Sequence, residues 1–345
     1  MNLYLKSGYL DMAKIIELKT PFIFVTGGRG TGKSYGALKY LIDKNQKFIL
    51  MRRTQTQIDM IKNDSFNPFK ALGDGYNLMV KSINKNMGAV YNAEFDSEKQ
   101  MNQPSGAPLG YFCALSTISN IRGFDASDID IIIYDEFIGE KHERPIKEEG
   151  ASFLNAYETI NRNRELNGKE PVKMVCLANS NDLANPIFMQ LKLVSVAEKM
   201  RNKGLEFYQD YKKGFTLIIL NQSPIGKAKE QTALYNLAGD SEFTNMSLKN
   251  EFANEEMGLI KALSLKDFKP IVKVGDMTIY KHKNKKQYYC SGHSSGTPPT
   301  YDTSVMDLKR FRRNYYMLWL HYLNNNIVFE SYTFQIMFER CYELK

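Results

Sequence analysis

Near its start the chain reads Val25-Thr26-Gly27-Gly28-Arg29-Gly30-Thr31-Gly32-Lys33-Ser34, the complete G-x-x-x-x-G-K-S phosphate-loop pattern, directly after the apolar run Pro21 to Val25. Glycines let successive backbone N–H groups turn inward around a diphosphate. A helix beginning near Lys33 adds its own unpaired donors and the positive end of its dipole. Lys33 is placed to reach the β/γ oxygens as a point charge, and the Ser34 hydroxyl to take one Mg²⁺ position. Gly27, Gly28, Arg29, Gly30, Thr31, Gly32, Lys33, Ser34 and Tyr35 are therefore the candidate nucleotide-binding residues, with ATP and Mg²⁺ as cofactors. A glycine turn that fits the pattern by chance seldom falls between an apolar strand and a helix pattern such as Ser34 to Leu41.

A second signal is Asp130-Ile131-Ile132-Ile133-Tyr134-Asp135-Glu136, apolar until two adjacent carboxylates. Asp135 suits the Mg²⁺ shell, and Glu136 is placed to polarise a water for attack on a γ-phosphate. An acid at that second position favours hydrolysis over phosphoryl transfer to a substrate. Asn179, just past the strand Val172 to Leu177, is a candidate γ-phosphate sensor, with turn capping the alternative. The helix predicted over Glu148 to Arg164 ends in Arg162-Asn163-Arg164. Those guanidiniums suit either a neighbour's phosphates or compensation of the helix dipole. The roles of Arg29 and of Arg52-Arg53 stay open.

Continuous apolar strands alternating with helices predict a mostly parallel sheet covered on both faces, an ASCE-type P-loop NTPase core. Residues 1–222 are read as that domain, 223–262 as a polar linker or lid, and 263–345 as a small basic α+β domain. Within the core, Ser97 to Leu109 reads as a loop or hairpin end, and in the last domain Asp307 to Leu323 as one long helix. The net charge of +8 favours an anionic partner, and Leu263 to Lys345 carries 13 Lys+Arg against 7 Asp+Glu. No apolar run reaches the ~18 residues of a membrane span, so no membrane partner is expected. The four cysteines lie far apart and read as buried thiols, not as a disulfide frame.

Taken together, Gly27 to Ser34, Ile121-Arg122-Gly123-Phe124 before the acidic strand, Arg162-Asn163-Arg164-Glu165 and Cys176-Leu177-Ala178-Asn179-Ser180 resemble a viral genome-packaging ATPase. The Arg-Gly before the acidic strand is similar to large terminase subunits. The F-R-N-R-E and C-L-S-N-A runs of the DNA encapsidation ATPases of phi29-like phages resemble Asn161 to Glu165 and Cys176 to Ser180. The resemblance implies a homopentameric ring in the host cytoplasm. That ring docks on the portal of an empty procapsid, directly or through a packaging RNA, and drives double-stranded DNA inward with ATP. Carried over by position, it implies Lys33, Ser34 and Asp135 on ATP and Mg²⁺, and Glu136 as the catalytic carboxylate. Arg162 becomes an arginine finger acting in trans, and Arg122 a second trans candidate. Two departures bear on this. Thr54 to Gln57 stand where phi29-type sequences carry a lysine, which removes the ground for DNA contacts there. The strand Ile271 to Val274 lacks the acids of a terminase nuclease, so the C-terminal domain is expected to be a vestigial, non-cutting RNase H-like fold. The alternatives are a terminase with an active nuclease and a P-loop scaffold that binds nucleic acid or capsid without stimulated turnover.

Overall fold

The computed structural model describes residues 2–343 apart from 74, 122, 140–142, 144, 180–181, 221–222, 240, 242–243 and 245–258. The chain divides into two compact units, Met1–Ile146 with Ser152–Asn181 and Gly204–Glu251, and Lys147–Ala151 with Asp182–Lys203 and Phe252–Lys345.

The first unit is built on a nine-stranded sheet. Its strands are β1 (Phe22–Thr26), β2 (Phe48–Arg52), β3 (Leu78–Ser82), β4 (Met87–Asp96), β5 (Met101–Ala114), β6 (Ile131–Asp135), β7 (Lys173–Ala178), β8 (Phe207–Asp210) and β9 (Phe215–Ile219), in the order β3-β4-β5-β2-β6-β7-β1-β9-β8. From β5 to β9 every neighbouring pair is parallel, and antiparallel strands flank that block. The sequence of β6 is apolar up to Asp135 because the strand is central and buried along its whole length. One face packs on α2 (Lys33–Asp43), which contributes Ala37, Leu38 and Leu41 to a core with Ile23, Val25, Leu50, Ile133 and Val175.

The topology has one consequence for chemistry. Strand β7 pairs with both β6 and β1, so the segments leaving the C-terminal ends of β1, β6 and β7 meet at one edge of the sheet. The start of β6 and the start of β7, in register at Ile131 and Lys173, lie at the opposite edge. Four residue steps at ~3.3 Å each put roughly 13 Å between those edges.

Ser97 to Leu109, read as a loop or hairpin end, is a hairpin end: residues 97–100 turn between β4 and β5, and β5 already begins at Met101. Before Gly110 it pairs with β4 alone, with Pro104 opposite Ala93, and only from Gly110 on does it also pair with β2. Its first half is therefore an edge, where a residue without an N–H breaks no ladder.

The second unit carries a five-stranded sheet of Phe268–Val274, Met277–His282, Tyr288–Ser291, Thr300–Tyr301 and Ile327–Phe329. Residues 182–203, read from sequence as part of the first domain, group with this unit through polar ties. Ser195 N donates to Asp276 at 3.4 Å, and the Thr333 hydroxyl donates to Glu198 at 2.6 Å. Arg340 pairs with Asp182 at 2.5 Å. The predicted long aromatic helix is two, Val305–Asn314 and Tyr316–Leu323. They break at Tyr315, whose carbonyl takes the Tyr342 hydroxyl at 2.6 Å. Arg312, counted among the basic residues, donates to the carbonyls of Cys341 and Glu343 and so closes the end of the fold. All four cysteines are free and buried, and no described helix is long and apolar enough to cross a membrane. Among the described residues no group of three or more acidic, histidine or cysteine side chains could hold a metal ion.

Candidate active site

The phosphate loop joins β1 to α2 at the sheet edge just identified. Gly32 caps the helix in the left-handed region, φ 86°, a conformation that costs glycine little. Gly27 N donates to the Ala178 carbonyl at 3.2 Å, which ties the loop to the end of β7. Lys33 is buried, and its ammonium donates to the carbonyls of Gly27 at 3.0 Å and Gly28 at 2.8 Å and to the Thr31 hydroxyl at 3.1 Å. Burial pushes its pKa down to about 7, with Asp135 opposing and Lys229 adding to the shift. A polyphosphate in the loop would offer that ammonium anionic oxygens in place of neutral carbonyls.

Ser34, one residue into α2, donates its hydroxyl to Asp135 Oδ1 at 2.9 Å. Asp135 ends β6 and is buried, which pushes its carboxyl above the usual range. The Arg52 guanidinium and the Ser34 hydrogen bond pull it back. These two adjacent hard oxygen donors fit the needs of Mg²⁺. Glu136 follows with φ 59°, a left-handed conformation uncommon outside glycine, and its backbone N–H donates to Asp135 Oδ1 at 3.1 Å. That turn carries the Glu136 side chain away from the strand, and it stays 45% exposed.

Arg52 gives the pair its geometry. Standing at the end of β2, next to β6 in the sheet, it reaches Asp135 Oδ2 at 3.0 Å with one nitrogen and Glu136 Oε2 at 2.7 Å with the other. Gln57 Nε2 donates to the same Glu136 Oε2 at 3.1 Å. The carboxylate is thus held by one oxygen, Oε2. Gln57 belongs to α3 (Gln55–Ile61), whose start is fixed by a reciprocal Thr54–Gln57 capping box. The Thr54 to Gln57 run thus serves the acidic pair through Gln57. Arg53, buried beside it, pairs with Glu143.

Asn179 is exposed at the end of β7, beside the loop, and Tyr35 is exposed in the first turn of α2. Arg29 is exposed at the tip of the loop. Arg162 lies elsewhere. It ends α4 (Glu149–Asn161) with φ 48°, and its Nη2 donates to the Phe124 carbonyl at 2.7 Å. Arg164 Nη2 pairs with Asp130 at 3.6 Å, before the first residue of β6. Both arginines therefore belong to the sheet edge opposite the loop of their own chain. Arg122 lies outside the described residues.

Sequence reasoning left Arg52 open and missed Gln57 and Lys229. The position of Arg52 at a strand's C-terminal end was a usable signal; its pairing with Asp135 depends on β2 lying beside β6, which no local pattern encodes.

The chain is similar to known phage DNA packaging proteins. The pattern of the family described as podovirus DNA encapsidation protein (Gp16) matches residues 4–325. The chain is 25% identical to the DNA packaging protein of Bacillus phage phi29, covering 98% of this chain and 97% of that protein. It is likewise 25% identical to the DNA packaging protein of Bacillus phage B103, covering 93% and 95%. Its fold is similar to a chain of the Phi-28 DNA packaging motor, with a TM-score of 0.60 at 17% identity over 98% of each chain. It is also similar to a chain of the bacteriophage Phi-29 genome packaging motor assembly, with a TM-score of 0.57 at 19% identity over 96% of this chain and 98% of that one.

Proposed function

The chain belongs to the podovirus DNA encapsidation protein (Gp16) family, and from that premise we propose that it is the ATP-hydrolysing subunit of a ring motor that drives double-stranded DNA into a preformed procapsid. The ring is a homopentamer that docks on the portal, directly or through an RNA. The observation that carries this reading is the acidic pair. Arg52 grips Asp135 and Glu136 together beside the phosphate loop, and Ser34 is bonded to Asp135.

In this reading the backbone N–H groups of the loop and the Lys33 ammonium bind the β- and γ-phosphates. Ser34 and Asp135 would hold Mg²⁺, which when bound would neutralise charge on the phosphate oxygens. Arg52 and Gln57 fix Oε2 of Glu136, so that Oε1 can take a proton from the attacking water. The water's oxygen bonds to the γ-phosphorus as the bond to the β–γ bridging oxygen breaks, which releases ADP and inorganic phosphate. Arg162, at the far edge of the sheet, acts on the pocket of the adjoining subunit, as Arg122 does. Exposed Lys283, Lys285 and Lys286, between the second and third strands of the second unit, suit sequence-independent phosphate contacts with DNA, while Tyr288 and Tyr289 are buried and serve the core. The second unit, with no acid within its first strand, is read as a vestigial nuclease-like domain that does not cut.

The test is ATP turnover by the assembled protein with and without double-stranded DNA. Turnover should rise with DNA, fall steeply with added salt and vanish in Lys33→Ala. A chain that binds DNA yet shows no stimulated turnover would instead be a scaffold, and metal-dependent cutting of plasmid DNA would restore the nuclease reading.

Lys33 also sets a pH dependence. Its pKa near 7 in the folded chain leaves it largely neutral above that pH, whereas bound phosphate favours the charged form. Binding above pH 7 must then draw in a proton, so nucleotide affinity should fall as pH rises from about 7 toward 9. Calorimetry at pH 8 in buffers of different ionisation enthalpy should give buffer-dependent binding heats; identical heats would refute the proton uptake.

A further inference from the structure

Beyond β9 the chain forms α7 (Pro224–Lys229), a short helix capped by Ser223, whose hydroxyl accepts from Gly226 N at 3.0 Å. Pro224 rests against Gly8, where an added Cβ would lie 3.3 Å from the Pro224 Cβ. The last residue of the helix reaches the phosphate loop. Lys229 Nζ donates to the Arg29 carbonyl at 3.1 Å, and a Cβ built on Gly30 would fall 1.8 Å from that nitrogen. The ammonium thus fills the space a side chain at position 30 would take.

Lys229 has no carboxylate partner among the described residues, and the Arg29 carbonyl engages one of its three donors. The Lys33 ammonium lies near enough for the two charges to oppose each other. Two lysine amines converging on one glycine loop form a site that a multiply charged anion would favour.

We propose that Lys229 is a phosphate-binding residue of the nucleotide site, giving its remaining donors to the polyphosphate and tying the position of α7 to the occupancy of the loop. The inference rests on the nucleotide reading above. It also provides a route out of the pocket. The Lys229 carbonyl accepts from both the backbone N–H and the hydroxyl of Thr232, each at 2.9 Å, and Thr232 caps α8 (Ala233–Ala238). A shift of Lys229 toward phosphate would carry that turn with it.

Equilibrium binding of ATP, ADP and AMP to the full chain, for the parent, Lys229→Gln and Lys229→Arg, tests this. Lys229→Gln should weaken ATP about tenfold or more, as expected for loss of a charge-assisted contact, with a smaller loss for ADP and least for AMP. Lys229→Arg should retain most of the affinity. Unchanged ATP affinity in Lys229→Gln would overturn the proposal. An equal loss for all three nucleotides would also overturn it, because it would mark a packing role. A parent protein that binds none of them would fail the nucleotide reading itself, an outcome visible before any variant is made.

Discussion

Replacing Glu136 by glutamine is expected to lower ATP turnover by about two to four powers of ten, the usual weight of a general base. Nucleotide affinity should barely change. Glutamine has the size of the native side chain, and its carbonyl oxygen can still accept from Arg52 and Gln57, which hold Oε2 at 2.7 and 3.1 Å. What it cannot do is take a proton at the other position. The loss therefore belongs to the chemical step, and a single-turnover experiment should find ATP bound and unhydrolysed. Asp135→Asn should behave differently, because Asp135 is buried against Ser34 and Arg52 and, in the proposed reading, its charge would hold Mg²⁺. Turnover by Glu136→Gln within tenfold of the parent would remove Glu136 from the role of base, whatever the fate of the rest of the site.

The parts of this site that could be read from the chain are those written in contiguous residues. Gly27 to Ser34 and Asp135-Glu136 each sit at a strand end, and the apolar runs that mark β1 and β6 are long enough to fix their burial. What could not be read depends on strand order. Arg52 acts on Asp135 because β2 lies beside β6, and Lys229 meets Arg29 across 200 positions of sequence. Neither relation leaves a local trace. Of the two alternatives read for Ser97 to Leu109, loop or hairpin end, the fold has the hairpin, and its proline and glycine fall on a strand with one open edge, which tolerates them. One error had a local cause that the fold overrode. The apolar periodicity from Asp307 to Leu323 signals one helix, but the Tyr342 hydroxyl takes the Tyr315 carbonyl and the chain restarts.

Arg162→Ala should leave the isolated subunit folded and able to bind ATP, yet reduce turnover of the assembled ring by about three to five powers of ten, the range of an arginine finger. Arg162 is exposed, ends α4 in a left-handed turn and is held by the Phe124 carbonyl, at the sheet edge that carries the start of β6 and β7. The phosphate loop and Asp135 are at the other edge, roughly 13 Å of strand away. An arginine so placed has no part in its own pocket. In a closed ring, however, that edge can face the pocket of the next copy, and a guanidinium is suited to the spread charge of a phosphoryl transition state. Dipole compensation at the end of α4 is the competing role, and it predicts a modest loss of stability with turnover intact. Mixing separates the two. A Glu136→Gln subunit has a dead pocket but an intact Arg162, and an Arg162→Ala subunit has the reverse. Rings assembled from both should therefore recover turnover that neither shows alone. Should Arg162→Ala rings hydrolyse ATP as fast as the parent, the finger must be sought elsewhere.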